Sequence, residues 1–454
     1  MPTLSGMTTC LLLALAISPS AAFAAEQWQA GAAKATITPK QFMWMAGYAS
    51  RDHVAEEKLT DLWVKALVLQ DPQGEKVVVV TLDLIGIDRP LSLSICEKLM
   101  KQHGLKRGQI AINCSHTHTG PVVARNLRPM HYLQLSDEQK KLVDEYATFL
   151  EESVQTAVSE AFQSLARSQI SWGSGRATFA TNRRNNPEAS VPELRQLGQL
   201  KGPVDHDVPV LAVRSLEGKL RAVAFGYACH STVLSSYQWS GDYPGFAQMK
   251  LEEQHPDMVA LFWAGCGGDQ NPLPRRTVDL AKQYGHTLAD AVESVLAAPM
   301  SPITGTLAAS YQEIDLPLGT LPTRDDLVRD VQSKDKYVAA RAKTLLEDVD
   351  AGQALPASYP YPISVWKLGS EVQWVFLGGE VVIDYAVRLK SELSGSQTWV
   401  AGYSHDVMAY IPSRRVLIEG GYEGGGAMVY YGLPAPWSPE VEERIVSEAL
   451  RQAK

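Results

Sequence analysis

An α/β fold of mixed β-sheets flanked by helices is what this sequence predicts, and three observations carry the expectation. Short apolar runs rich in β-branched residues, each bounded by glycine or charge, alternate with longer stretches of helical periodicity. The 454 residues suffice for one large domain or two ordinary ones, with no internal repeat, low-complexity tract or linker to divide them. Beyond about Gly305 strand-like segments dominate, which points to a second sheet in the last third rather than to a separate domain.

In chain order, residues 10–24 (CLLLALAISPSAAFA) form an apolar run ending in Ala22-Phe23-Ala24, a small-x-small cleavage pattern. They read as a secretory signal peptide, although no Lys or Arg precedes them. Residues 1–24 are therefore assigned to the leader and 25–454 to a single catalytic domain, exported to a periplasm or secreted. The mature chain contains no apolar run that would span a bilayer; Val77–Ile87 is about a strand's worth. Lys76–Asp83 (KVVVVTLD), Gln109–Cys114, Leu220–Ala228 and Met258–Ala264 read as buried strands. Ser136 opens Ser-Asp-Glu-Gln, a capping-box pattern, ahead of an amphipathic helix running to about Leu165. Helical patterns also cover about Val278–Ala298 and Arg324–Asp350. Thr306–Leu316, Pro362–Lys367 and Val372–Leu377 read as the strands of the second sheet.

Lys and Arg number 42 against 50 Asp and Glu, for a net charge of −8. That balance, with no basic run, argues against nucleic acid or an anionic membrane surface as partner. Of five cysteines, Cys96, Cys114, Cys229 and Cys266 remain after cleavage, too few for a disulfide framework but enough for a bond in an oxidising compartment. Three of them lie within four residues of a candidate site residue. Small thiols packed behind the site are the default reading, and a thiolate nucleophile or metal ligand is the sharper one.

The chemistry concentrates in a few segments. Ile112-Asn113-Cys114-Ser115-His116-Thr117-His118-Thr119-Gly120-Pro121 sets two histidines one residue apart at the end of a strand, where i and i+2 share a face. Ala228-Cys229-His230-Ser231-Thr232 ends a second strand with a histidine. Gly265–Pro272 follows a third, and its glycines would let backbone approach a ligand while a following helix aims its amides at negative charge. Gly378-Gly379-Glu380 puts a carboxylate among apolar residues, where it is costly unless paired or metal-bound. Gly402-Tyr403-Ser404-His405 leads to Tyr410 and then to the glycine-rich Gly420–Gly426 around Tyr422. Taken singly, each has a plain structural reading: a satisfied histidine, a helix cap for Glu380, a surface loop, packing tyrosines, a turn residue for Asp242. Together they supply imidazoles, a carboxylate and phenols, the mix that suits zinc with an open position.

The order of these motifs resembles the catalytic domain of the neutral (neutral/alkaline, non-lysosomal) ceramidase family, zinc-dependent amidases that cleave the N-acyl bond of sphingolipids. Ser115-His116-Thr117-His118-Thr119-Gly120-Pro121 is similar to its T-H-T-H-S-G-P segment, His230-Ser231-Thr232 to its second metal histidine, and Gly379-Glu380 to its Gly-Glu ligand. Gly402-Tyr403-Ser404 followed by Tyr410, with Tyr422 twelve residues on, is similar to its tyrosine motif. Asn182-Arg183 is similar to its Asn-Arg pair, with Arg184 as a competitor. The resemblance implies a neutral-ceramidase-like catalytic domain with Zn²⁺ held by His116, His230, Glu380 and Tyr410. It implies His118, Arg183, Tyr410 and Tyr422 as catalytic residues, and Asp269 and Asn271 on the substrate. Two departures stand out: Asn271 replaces the serine of the family's G-D-x-S-P-N segment, and no counterpart of its C-terminal immunoglobulin-like domain follows. The expected activity is hydrolysis of an N-acyl amide, small or lipid-like, by metal-activated water, on a substrate other than ceramide itself. An esterase or carbohydrate-active enzyme using the same site, and a non-catalytic binding homologue, remain the alternatives.

Overall fold

The protein is described by a computed structural model that covers Pro2 and residues 27–454. Apart from Pro2, the expected leader lies outside the described residues. The larger sheet has nine strands. Edge to edge, eight of them run Val259–Ala264, Leu220–Tyr227, Asp207–Ser215, Ala166–Arg176, Gln29–Thr36, Trp63–Gln70, Lys76–Leu82 and Ile110–Cys114. The middle is antiparallel, but the outermost pair at each edge is parallel. Lys76–Leu82 is buried at every position but its first, because both faces of the sheet are covered, and this is why it reads as one unbroken apolar run.

Twist accumulated over so many strands curls the sheet until its two edges meet. Asn113 ties them: its Oδ1 accepts from Ala264 N at 2.9 Å, and its Nδ2 donates to Ala264 O at 3.3 Å and to Gly402 O at 2.7 Å. Lys65 spans the same interior, donating to Ala260 O and to Glu252, each at 2.8 Å. The curl matters for function, since it brings the loops after Cys114, Tyr227 and Ala264 to one place.

The second sheet runs Leu307–Pro317, Ser358–Leu368, Val372–Leu377, Gln397–Ala401, with the last two strands parallel. It packs face to face on the first through Trp263, Trp366, Trp374 and Trp399, which are buried together with Leu67, Val79 and Leu211. An indole removes roughly 200 Å² from water, about 5 kcal/mol at 25 cal/mol per Å², so this cluster holds the layers firmly. Helices Arg89–His103, Asp137–Gln163, Asp242–Gln254 and Val278–Ala297 cover the far face of the first sheet, and Ile383–Glu392 and Val441–Gln452 that of the second. The order of layers is helix, sheet, sheet, helix.

Ser136 caps its helix as expected, accepting from Gln139 N. The pattern over Arg324–Asp350 is two helices instead of one, Arg324–Asp330 and Lys336–Asp350. Asp335 breaks it by capping the second, its side chain accepting from Tyr337 N and Val338 N. Cys96, Cys114, Cys229 and Cys266 are buried and unpaired with one another. Burial pushes the Cys114 thiol up to about 12 and those of Cys229 and Cys266 well above the usual range, which fits small thiols packed behind the site. Among the described residues no helix is long and apolar enough to cross a membrane.

Candidate metal centre

His116 does not lie on the strand before it. The strand ends at Cys114, and His116 takes a left-handed φ of 60°, so the two histidines converge through a turn rather than through the pleat. Tyr403 (φ 48°) and His405 (φ 63°) are also left-handed, a concentration of strained backbone typical of functional loops. His116 Nδ1 lies 2.6 Å from Ile85 O, and His230 Nδ1 lies 2.6 Å from Gly267 O. A carbonyl can only accept, so both Nδ1 atoms carry a proton, and in the neutral tautomer both Nε2 atoms present lone pairs.

Those lone pairs face Glu380. Its Oε2 is 3.1 Å from His116 Nε2 and 3.1 Å from His230 Nε2, yet it has no hydrogen-bond partner. Glu380 Oε1 accepts from the Tyr431 hydroxyl. Burial by itself opposes ionisation of Glu380, so a carboxylate there requires a positive partner at Oε2. Burial also holds His118 down, and with Arg183 brings His230 to about 4. A buried carboxylate facing neutral imidazole lone pairs is a donor set completed by a cation, and its N and O atoms suit zinc. His118 Nε2 sits 3.1 Å from His116 Nε2, and the donor atoms of His116, His118 and His230 lie within 4.8 Å of one another.

Glu380 and Tyr410 come together because Glu380–Val381 pairs in parallel with Tyr410–Ile411, putting the two opposite each other. Gly379 makes this turn at φ 75°, where a Cβ would stand 2.7 Å from Ala409 O. The Tyr410 hydroxyl is 3.2 Å from His230 Nε2 and accepts from Arg183 Nη2 at 3.1 Å. Arg183 also donates to Glu423 at 2.7 Å and to Asn271 Oδ1 at 3.3 Å. Arg184 turns away, to Glu423, Glu419 and Gly420 O, so Arg183 is the arginine that faces the centre.

A cleft of about 650 Å³ opens over these groups, lined by His118, Arg183, Asn271, Tyr410 and Tyr422 among others. Tyr422 stands at its mouth, half exposed, its ring 5.3 Å from that of Tyr410. Asp269 does not reach the cleft. Its carboxylate is buried on Asn182 Nδ2 (2.9 Å), Ile383 N (2.9 Å) and Gln270 Nε2 (3.0 Å), where it ties the Arg183 strand to the Glu380 turn. Asp242 likewise bonds backbone, accepting from Leu234 N and Tyr243 N. The glycines after Ala264 admit protein rather than ligand: a Cβ on Gly267 would meet the Cys229 backbone at 2.9 Å, and one on Gly268 the Glu380 carbonyl oxygen at 2.7 Å. A strand, Gln270–Pro272, follows them instead of a helix.

Four participants were given no role from the sequence. Tyr431 anchors Glu380, Glu423 forks between two arginines, and the Tyr403 ring lies 4.4 Å from that of His116. Tyr48 packs 4.9 Å from His118. Tyr431 and Tyr48 lie outside every motif, Tyr403 and Glu423 lie inside the Gly402–His405 and Gly420–Gly426 segments, and only the fold brings each to the centre.

The chain is similar to known ceramidases in sequence and fold. It is 24% identical over 269 residues to neutral ceramidase 1 of Arabidopsis thaliana, covering 57% of this chain and 34% of that protein. It is 30% identical over 115 residues to the neutral ceramidase of Oryza sativa subsp. japonica, covering 24% of this chain and 15% of that one. The matched stretches thus span about a third or less of these relatives' length. The neutral ceramidase of Pseudomonas aeruginosa superposes with a TM-score of 0.72 at 18% identity over 94% of this chain and 74% of that one. A ceramidase complexed with C2 superposes at 0.73 and 16% identity, covering 94% and 75%. The family model for the N-terminal part of neutral/alkaline non-lysosomal ceramidases matches residues 28–349, and the chain belongs to that family.

Proposed function

We propose that this protein is a zinc-dependent hydrolase of N-acyl amides. One observation carries the reading: the buried Glu380 Oε2 has no hydrogen-bond donor, although two imidazole nitrogens lie 3.1 Å away with their lone pairs turned toward it. His116, His230, Glu380 and Tyr410 would hold the metal. Bound zinc supplies Lewis acidity, which acidifies water and polarises a carbonyl near neutral pH.

The remaining groups divide the work on the substrate. His118, neutral and at the cleft floor, would hold a proton toward the amide oxygen. Arg183 keeps the Tyr410 hydroxyl in place and brings positive charge to where negative charge develops. Tyr422, at the mouth, would position substrate beside the leaving amine. Asn271 is an amide and cannot be a nucleophile, but its bond to Arg183 leaves its Nδ2 free to donate to substrate. With water as nucleophile, the chemistry does not require the family serine. Asp269 and Glu423 act through others, by fixing Asn182-Arg183. An exported protein acting on a small or lipid-like N-acyl substrate is the setting this reading takes from the resemblance.

The test is metal content and N-acyl hydrolysis in the wild type and in His116→Ala, each stripped with chelator and reloaded with zinc. We expect near-stoichiometric zinc and turnover in the wild type and loss of both in the variant. Folded wild-type protein that takes up no zinc would sink the proposal.

A further inference from the structure

Four arginines, Arg183, Arg184, Arg275 and Arg276, line the cleft, while Leu273 is its one aliphatic side chain among the described residues. A cleft of this composition does not match a purely hydrocarbon substrate. Three of the four charges are matched inside the protein. Glu423 takes Arg183 and Arg184, each at 2.7 Å, Glu419 takes Arg184 at 3.1 Å, and Glu188 takes Arg275 at 2.7 Å. Arg276 makes no ion pair among the described residues. Of the adjacent Arg275 and Arg276 only the first holds a carboxylate, and one positive charge is left over at the rim.

That charge is aimed. Arg276 takes a φ of 95°, and its Nη1 donates to the Tyr48 hydroxyl at 3.2 Å. The Tyr48 hydroxyl in turn donates to Leu234 O at 2.9 Å. The Tyr48 ring is 5.5 Å from the Arg276 guanidinium carbon on one side and 4.9 Å from the His118 ring on the other. Cation and imidazole thus both neighbour a single ring and stand at most about 10.4 Å apart.

We infer that Arg276 is the carboxylate-recognition residue of this site, and that the substrates are N-acyl amino acids whose carboxylate lies one or two carbons from the scissile nitrogen. The inference rests on the amidase reading above. The covalent path from an amide carbonyl carbon through nitrogen and one carbon to a carboxylate carbon spans under about 4 Å. Adding a guanidinium–carboxylate hydrogen bond of about 2.8 Å at one end and a contact to His118 at the other gives a reach comparable with the upper limit of about 10.4 Å between the two side chains. Arginine, with its planar fork, suits a carboxylate better than it suits a hydroxyl group.

The test compares hexanoate release from N-hexanoylglycine and from N-hexanoylglycinamide by zinc-loaded wild type, Arg276→Gln and Arg276→Lys. A charge-assisted hydrogen bond corresponds to about a tenfold to hundredfold effect, so wild-type kcat/KM should favour the acid by that factor. The ratio should collapse toward unity in Arg276→Gln and partly recover in Arg276→Lys. A wild-type ratio at or below unity, or one unchanged in Arg276→Gln, overturns the inference. If neither compound is cleaved, the amidase reading fails on its own, and calorimetric binding of N-hexanoylglycine decides the subsite. Affinity at least tenfold weaker in Arg276→Gln supports it, and equal affinity overturns it.

Discussion

Gly47 offers a sharp test of how His118 works, because it touches that ring without belonging to the metal centre. Its φ of 98° is one that glycine adopts freely, and its N–H donates to His131 Nε2 at 3.1 Å. In Gly47→Ala the new Cβ would stand 2.5 Å from His118 Cγ and 2.6 Å from its Nδ1, where ordinary contact begins at 3.4 Å. The imidazole or the loop must yield by about 1 Å, and a misplacement of that size costs roughly a hundredfold in rate, about 2.7 kcal/mol of barrier. Left-handed backbone at an alanine adds about 1–2 kcal/mol of strain, to be seen as a lowered Tm. The assay is kcat/KM on the best N-acyl substrate, with bound zinc measured in parallel. We expect activity to fall about a hundredfold with zinc retained, since His116, His230 and Glu380 are untouched. Wild-type kcat/KM in a folded Gly47→Ala protein would refute a working role for a fixed His118. Zinc lost in step with activity would instead put His118 among the ligands.

Two further outcomes follow from the buried partners of the site. Tyr431→Phe removes the donor to Glu380 Oε1, and zinc affinity measured by chelator competition should fall about tenfold to a hundredfold; unchanged affinity would contradict a role in orienting the ligand. His131 is held down to about 3 by burial, then by Arg51 and Lys336, against an ordinary 6.5. The unfolded chain therefore takes up a proton that the native state refuses, and stability falls as pH drops from 6.5 toward 3. By pH 5 the loss is about 2 kcal/mol, and His131→Gln, which keeps an acceptor for Gly47 N–H, should lack that part of it in urea unfolding at pH 7 and pH 5. An undiminished loss in the variant would tell against it.

The strand-ending histidines, the Gly-Glu carboxylate and the tyrosine segment were legible because each sits where an apolar run stops, and local patterning sets such boundaries. Arg183 and Arg184 were not separable, since adjacent residues differ only in direction, and the Tyr410 hydroxyl that singles out Arg183 arrives from 227 positions along the chain. Asp269 was expected on the substrate from the resemblance, and the glycines beside it were expected to face a ligand. Those glycines instead admit the Cys229 and Glu380 backbones, a contact between distant strands. Arg324–Asp350 read as one helix because periodicity runs on through Asp335, whose cap breaks it.

By itself, then, the sequence determined the alternation of strands and helices, the second sheet of the last third, and the residue types able to hold zinc, because burial and periodicity act over a few residues at a time. Tertiary structure decided how those residues meet. Curling of the large sheet, tied by Asn113, carries the His116 and His230 loops together, and pairing of Glu380 with Tyr410 brings in the second sheet's donors. The charge left on Arg276 was also decided there, because which guanidinium finds a carboxylate depends on contacts made only after folding.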